Sequence, residues 1–227
     1  MADDVPGNVP NSMPEWKAAY VPEGEVWKYT EQHLTFNNGT DPETLDPHMM
    51  TGLPEMRLAE ALFEGLVTYD PSDLTPRPGV AESWDVSDDG LIYTFHLRKD
   101  AKWSDGKEVT ALDFLFSWKR SLDPVNRYIN LFFPIAGAKD YSEGKLTDFN
   151  EVGIHVKDSH TLEVVLHAPC PYFLDLVAFP TYYPVRIELI EKFNEKWTRQ
   201  ENIIGNGPFV LKEWSPREQI VFEKNPY

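Results

Sequence analysis

Residues 205–227 read GNGPFVLKEWSPREQIVFEKNPY. Two apolar-rich runs, PFVLKEW and QIVFEK, flank a Ser-Pro turn signal and read as paired strands. A hairpin by itself is marginal in water and needs a third strand or a packed apolar face. Any fold open to this chain must supply one of these, so the rest of the sequence is read for what could cover or extend that pair.

Earlier segments provide both strands and helices. In PEMRLAEALFEGLV, residues Met56, Ala59, Leu62, Phe63 and Leu66 recur at helical spacing, and Pro54 suits a first helical turn. Tyr93, Phe95 and Leu97 alternate with Thr94, His96 and Arg98, which predicts a half-buried strand bounded by Asp-Asp-Gly and Ser-Asp-Gly turns. Thr110 and Asp113 have capping-box spacing at the start of TALDFLFSWKR. GIHVKDSHTLEVVL predicts a hairpin turning at Asp158-Ser159, and RIELIEKFNEKW a helix with Ile190, Phe193 and Trp197 on one stripe. HLTFNN, at 33–38, reads as a strand. Trp84, Trp103, Phe116 and Trp118 read as core residues, and Gly207 as the place where a strand turns tightly. With no regular βαβ repeat, the fold class is α+β.

Composition narrows the function. Net charge is −16, from 37 acidic against 21 basic residues, which excludes a basic nucleic-acid surface and opposes docking on an anionic membrane face. Apolar runs such as YFLDLVAF fall far short of the roughly 18 residues that a membrane span requires. MADDVPGNVP has neither a basic start nor an apolar run, so no signal peptide is read there. It fits either a cytoplasmic start or a mature exported chain preceded by Met-Ala. Cys170 is the single cysteine, so no internal disulfide and no cysteine-built metal site can form.

Catalytic and metal signatures are thin. DVSDDG, residues 85–90, matches the first half of a calcium loop, but His96 stands where the bidentate glutamate belongs, and the segment reads as a turn between strands. The six histidines include no i, i+4 pair for zinc. His48 beside Met49 and Met50 raises a soft-metal site against the plainer reading of a loop packed on the core. Cys170, between two prolines, reads as a buried inert thiol. Asp158, Ser159 and His160 gather triad residue types but, adjacent in one turn, cannot reach triad geometry. No G-x-S-x-G elbow occurs, and no carboxylate pair is singled out. The chain is read as a non-enzyme with no cofactor and no metal.

ETLDPH, ALFEGL, GVAESWDVSDDGLIYTFHLRKDAKWSDGKEVTALDFLFSWKRSLDP and GNGPFVLKEW resemble the peptide-binding proteins of ABC importers, the oligopeptide and dipeptide binders (extracellular solute-binding protein family 5). IAGAKDYSEGK and IEKFNEKW add to the resemblance, which runs from about residue 33 to the end of the chain. It implies a two-lobed receptor that clamps short extended peptides and hands them to permease subunits. It further implies a periplasmic or lipid-anchored cell-surface location, a removed signal peptide and a monomeric full-length form. Residues 1–63 and 187–227 would belong to the mixed-sheet first lobe and 64–186 to a small inserted α+β domain. The second lobe would be absent from this N-terminal part. The backbone of Thr51, Gly52 and Leu53 would line the cleft, with Tyr128 facing it. TGLP stands where better-known oligopeptide binders resemble EGVP, so a preference for basic peptide side chains does not carry over. A structural or partner-docking module without a small ligand, an unidentified hydrolase, and a family relative taking nickel, haem or sugar remain open alternatives.

Overall fold

The computed structural model describes residues 34–227, and Thr40–Tyr227 form one compact unit. In chain order its helices and strands are α1 (Leu53–Leu62), β1 (Val67–Tyr69), β2 (Pro76–Pro78), β3 (Ala81–Val86), β4 (Ile92–Leu97), α2 (Ala111–Ser121), α3 (Ala138–Ser142), β5 (Ile154–Asp158), β6 (Thr161–Val165), α4 (Phe173–Val177), α5 (Ile187–Phe193), β7 (Phe209–Ser215) and β8 (Gln219–Lys224). Short 3-10 turns lie between several of them. The architecture is α+β, and every strand pairing described is antiparallel.

Four strands form a sheet in the order β3-β4-β6-β5. Strand β4 alternates as its sequence predicts, burying Tyr93, Phe95 and Leu97, and its register sets Phe95 opposite Leu162 and Tyr93 opposite Val164. Helix α2 contributes Phe114 and Trp118 to the same core. The Thr110 N–H and hydroxyl both donate to the Asp113 carboxylate, at 2.7 and 2.9 Å, which fixes where the helix begins. Trp118 is fully buried; its indole N–H donates to the Tyr182 carbonyl at 2.7 Å, and its ring meets Tyr182 edge-on at 5.0 Å. A large aromatic body is thus buried without leaving its polar atom unpaired.

A second core gathers Leu58, Ala59 and Leu62 of α1 with Leu45, Met50, Tyr183, Val185, Trp197 and Leu211. Trp214, Ile220 and Phe222 pack against it from the terminal hairpin. The hairpin therefore gains its stability from a covered apolar face, and among the described residues β7 pairs only with β8. The joint between hairpin and helix is unusually close. The Gly207 N–H donates to the Leu62 carbonyl at 3.0 Å. The Asn206 side-chain amide bonds both the N–H (3.1 Å) and the carbonyl (2.8 Å) of Glu64. A Cβ on Gly205 would run into the Leu62 carbonyl oxygen, and one on Gly207 would stand 2.5 Å from the Phe63 nitrogen.

Several expectations are corrected by packing. The helix expected across PEMRLAEALFEGLV stops at Leu62, because the Leu62 carbonyl and the Glu64 backbone are taken by Gly207 and Asn206. Phe63 is extended there, and Val67 already begins a strand. The segment expected as a strand at 33–38 is irregular over its described residues 34–38, His33 lying outside them. The 153–166 hairpin forms with Ser159-His160 as its turn, one residue later than predicted. RIELIEKFNEKW breaks at Asn194, whose φ is +51°, although Trp197 is still buried. Trp103 and Trp118 are core residues; Trp84 is half-buried and Phe116 is exposed. The buried face of α2 is Ala111, Phe114, Ser117, Trp118 and Ser121, and Phe116 lies off it. Serine holds two of those inner positions because the Ser117 and Ser121 hydroxyls donate to the carbonyls of Val185 and Thr181. Gly207 serves close approach rather than a left-handed turn.

Gly207→Ala is accordingly expected to lower stability by about 1–3 kcal/mol, read as a reduced urea midpoint with unchanged slope. A variant as stable as the parent would show that the approach of hairpin to helix does not require glycine.

Candidate functional site

The segment leading to Thr51 is anchored by a buried polar cluster. Asp46 and His48 are 5% and 0% exposed. The Arg120 guanidinium, from α2, donates to both Asp46 carboxylate oxygens, at 3.0 and 2.5 Å, and to His48 Nδ1 at 2.8 Å. His48 Nε2 lies 2.9 Å from the Tyr183 carbonyl. A carbonyl only accepts and a guanidinium only donates, so the imidazole is neutral with its proton on Nε2. Burial, then the adjacent Arg120 charge, lowers its pKa from 6.5 to about 4. Burial alone would raise the Asp46 carboxyl, but the Arg120 hydrogen bond and charge carry it below its ordinary value. Both ring nitrogens of His48 are engaged, and Met50 is 1% exposed in the second core, so these residues form a packed loop rather than a soft-metal site.

Beyond this anchor, Thr51 is exposed, Gly52 is half-buried, and Leu53 is 70% exposed as the first residue of α1. Gly52 has extended backbone, and no backbone acceptor among the described residues takes the N–H of Thr51 or Gly52. The Tyr128 hydroxyl donates to the Thr51 carbonyl at 3.3 Å. The Tyr128 ring meets Phe179 edge-on, with centroids 5.2 Å apart. The structure thus joins the four residues singled out from the sequence through one hydrogen bond and one stretch of backbone. It adds Phe179, which no sequence motif marked.

Elsewhere the chemical signatures resolve into local structure. Asp85 and Val86 end β3 and the residues from Ser87 to Leu91 turn to β4; Ser87 and Asp89 bond within the turn, and Asp85 pairs with His96 across the strands at 2.7 Å. His160 lies 2.8 Å from Glu108, and the Asp158 carboxylate accepts the His160 N–H, which is turn chemistry and not a triad. Cys170 is buried. Among the described residues no group of three His, Cys, Asp or Glu is placed to hold a metal ion, and no helix is long and apolar enough to cross a membrane.

Residues 75–227 match the middle part of the bacterial extracellular solute-binding proteins, family 5, and the chain belongs to this family. The periplasmic oligopeptide-binding protein OppA of Escherichia coli is 48% identical over 213 residues, a match that covers 92% of this chain and 38% of that protein. A crystal structure of Haemophilus influenzae OppA in complex with RPPGFSPFR superposes with a TM-score of 0.79 at 41% identity, covering 84% of this chain and 37% of that one. The substrate-binding domain of an oligopeptide ABC transporter from Bacillus anthracis gives a TM-score of 0.80 at 38% identity, covering 85% and 37%. The chain thus spans less than two fifths of the length of these relatives.

The buried cluster fixes a pH dependence. The folded state holds His48 neutral, so between about pH 6.5 and 4 the unfolded chain binds the extra proton. Stability is complete above that window and falls by roughly 3 kcal/mol as pH drops through it. Asp46, whose pKa is depressed, adds a further loss only at lower pH. His48→Gln retains a donor toward Tyr183 but does not titrate. Its urea midpoint should change less than the parent's between about pH 7 and 4.5; equal changes would place the titration elsewhere.

Proposed function

We propose that this chain is the N-terminal part of the substrate-binding component of an ABC peptide importer. It captures short extended peptides outside the cytoplasmic membrane, in the periplasm or tethered to the cell surface by lipid, and passes them to permease subunits. It has no catalytic role. Residues 1–63 and 187–227 are assigned to the first lobe and 64–186 to an inserted domain. Support comes from the two cores, since the chain leaves the second core after Phe63 and re-enters it at Tyr183, within a few residues of these boundaries.

The observation that carries the binding proposal is the backbone at Thr51 and Gly52, extended at Gly52, whose N–H groups no backbone acceptor among the described residues takes, with the Thr51 carbonyl held by Tyr128 and Leu53 exposed beside it. An extended peptide satisfies such backbone as an added strand would, through groups common to every residue type. Side-chain identity then matters little, and hydrated pockets accommodate differences among ligands. The name of the Escherichia coli relative and the bound nonapeptide of the Haemophilus influenzae relative support peptide as the ligand class. Closure of two lobes would bury the peptide and create the form that the permease engages.

The test is calorimetric titration of the full-length receptor carrying this chain with trialanine and with trialanines N-methylated at single amides. Trialanine should bind, and at least one methylation should weaken binding about tenfold through loss of a backbone hydrogen bond. Methylation without effect at every position would remove backbone pairing as the mechanism. Absence of any binding would remove the peptide-receptor reading.

A further inference from the structure

The buried ring of His48 stands between an acceptor at Nε2, the Tyr183 carbonyl, and a donor at Nδ1, the Arg120 guanidinium. That arrangement exists only while the imidazole is neutral, because a protonated ring carries an N–H at both nitrogens and can accept nothing from arginine. The charged groups acting on the ring are Arg120 of α2 and Asp46 of its own loop, while the Tyr183 segment presents a carbonyl. Carboxylates on and just beyond α1 are engaged elsewhere: Glu55 accepts the Glu43 N–H, Glu64 pairs with Arg98, and Glu60 stands by the Tyr183 phenol. A proton on His48 would therefore set two cations against one carboxylate in a space closed to water, which is unfavourable. The three partners differ in freedom. Asp46 and His48 are enclosed, whereas the Arg120 side chain is 24% exposed and has a route to solvent. Its departure breaks both bonds to Asp46. Among the described residues, the hydrogen bond then left between residues 46–51 and the core of the four-stranded sheet is that from Tyr128 to the Thr51 carbonyl, at 3.3 Å.

We propose that Arg120 and His48 form an acid-sensitive catch: a proton taken up from solvent at His48 Nδ1 expels the Arg120 guanidinium, the loop from Asp46 to Thr51 loosens from α2, and bound peptide is released. The closed catch holds the imidazole neutral, burial and then the Arg120 charge lowering its pKa to about 4. An opened loop returns the ring to water and toward its ordinary value of about 6.5, so the closed form is progressively disfavoured as pH falls between these two values. The acid-sensitive step thus lies in the anchor, two layers behind any ligand, and acts on every peptide alike.

Release of peptide rests on the peptide-binding reading, whereas loosening of the loop does not, so the two are measured apart in the full-length receptor. Without ligand, amide protection is compared at about pH 6.5 and 4.5; that of His48 and Met49, whose N–H groups bond Asp46, should fall about fivefold relative to Trp118 inside α2. Trialanine, whose terminal charges hardly change over this range, should bind about fivefold more weakly at the lower pH. His48→Gln, which keeps a donor for Tyr183 and does not titrate, should show neither change. A parent whose affinity or relative protection stays level, a loss of protection shared equally by Trp118, or a variant that responds as the parent does overturns the catch without touching peptide binding. If trialanine binds at neither pH, the peptide reading falls, and a selective loss of protection that His48→Gln abolishes still upholds the catch. Should His48→Gln not fold, Arg120→Met takes its place. With the guanidinium gone a protonated His48 pairs with Asp46, so affinity should no longer weaken with acid, and a retained fall overturns the proposal.

Discussion

The guanidinium of Arg120 is the contact on which the candidate site depends. It reaches from α2 in one core to Asp46 and His48 in the loop that feeds α1 in the other. Removing an ion pair from water costs much of what its attraction returns, so such a cluster is weak evidence for net stability. Its effect is positional. Arg120 on one ring nitrogen and the Tyr183 carbonyl on the other leave His48 a single orientation, and the backbone three residues later is the exposed Thr51 segment.

The place of this segment between the two cores explains why open backbone can exist there. Residues 51–53 stand where the loop leaves the second core and helix α1 has only begun, so their N–H groups come before Met56, whose N–H donates to the Gly52 carbonyl in the first helical hydrogen bond. Tyr128 and Phe179 come from segments attached to the other core. The site is thus a border between two packed bodies, which is where ligand clefts commonly form.

How much of this the sequence disclosed depended on the range of the interaction concerned. Strand β4, the Thr110–Asp113 cap and the hairpins were legible because alternation, capping and turn chemistry are local. The end of α1 was not, since what stops it lies more than a hundred residues away at Asn206 and Gly207. Phe116 misled because an apolar residue inside an apolar helix reveals its face only once the opposite face is occupied by Ser117 and Ser121. Thr51, Gly52, Leu53 and Tyr128 were marked by family resemblance rather than by any local pattern. Phe179 carried no signal, its place at the site being defined by a ring contact.

Asn206 bonds both the amide and the carbonyl of Glu64 with one side chain, imitating a neighbouring strand at a place where no strand runs. Aspartate lacks the donor, glutamine is one methylene too long, and serine cannot present two groups at that separation. Among the twenty side chains, then, the fold leaves this position almost no vocabulary. A word that short is easy to overlook between two glycines, yet it spells out where the helix ends and where the chain turns toward its final hairpin.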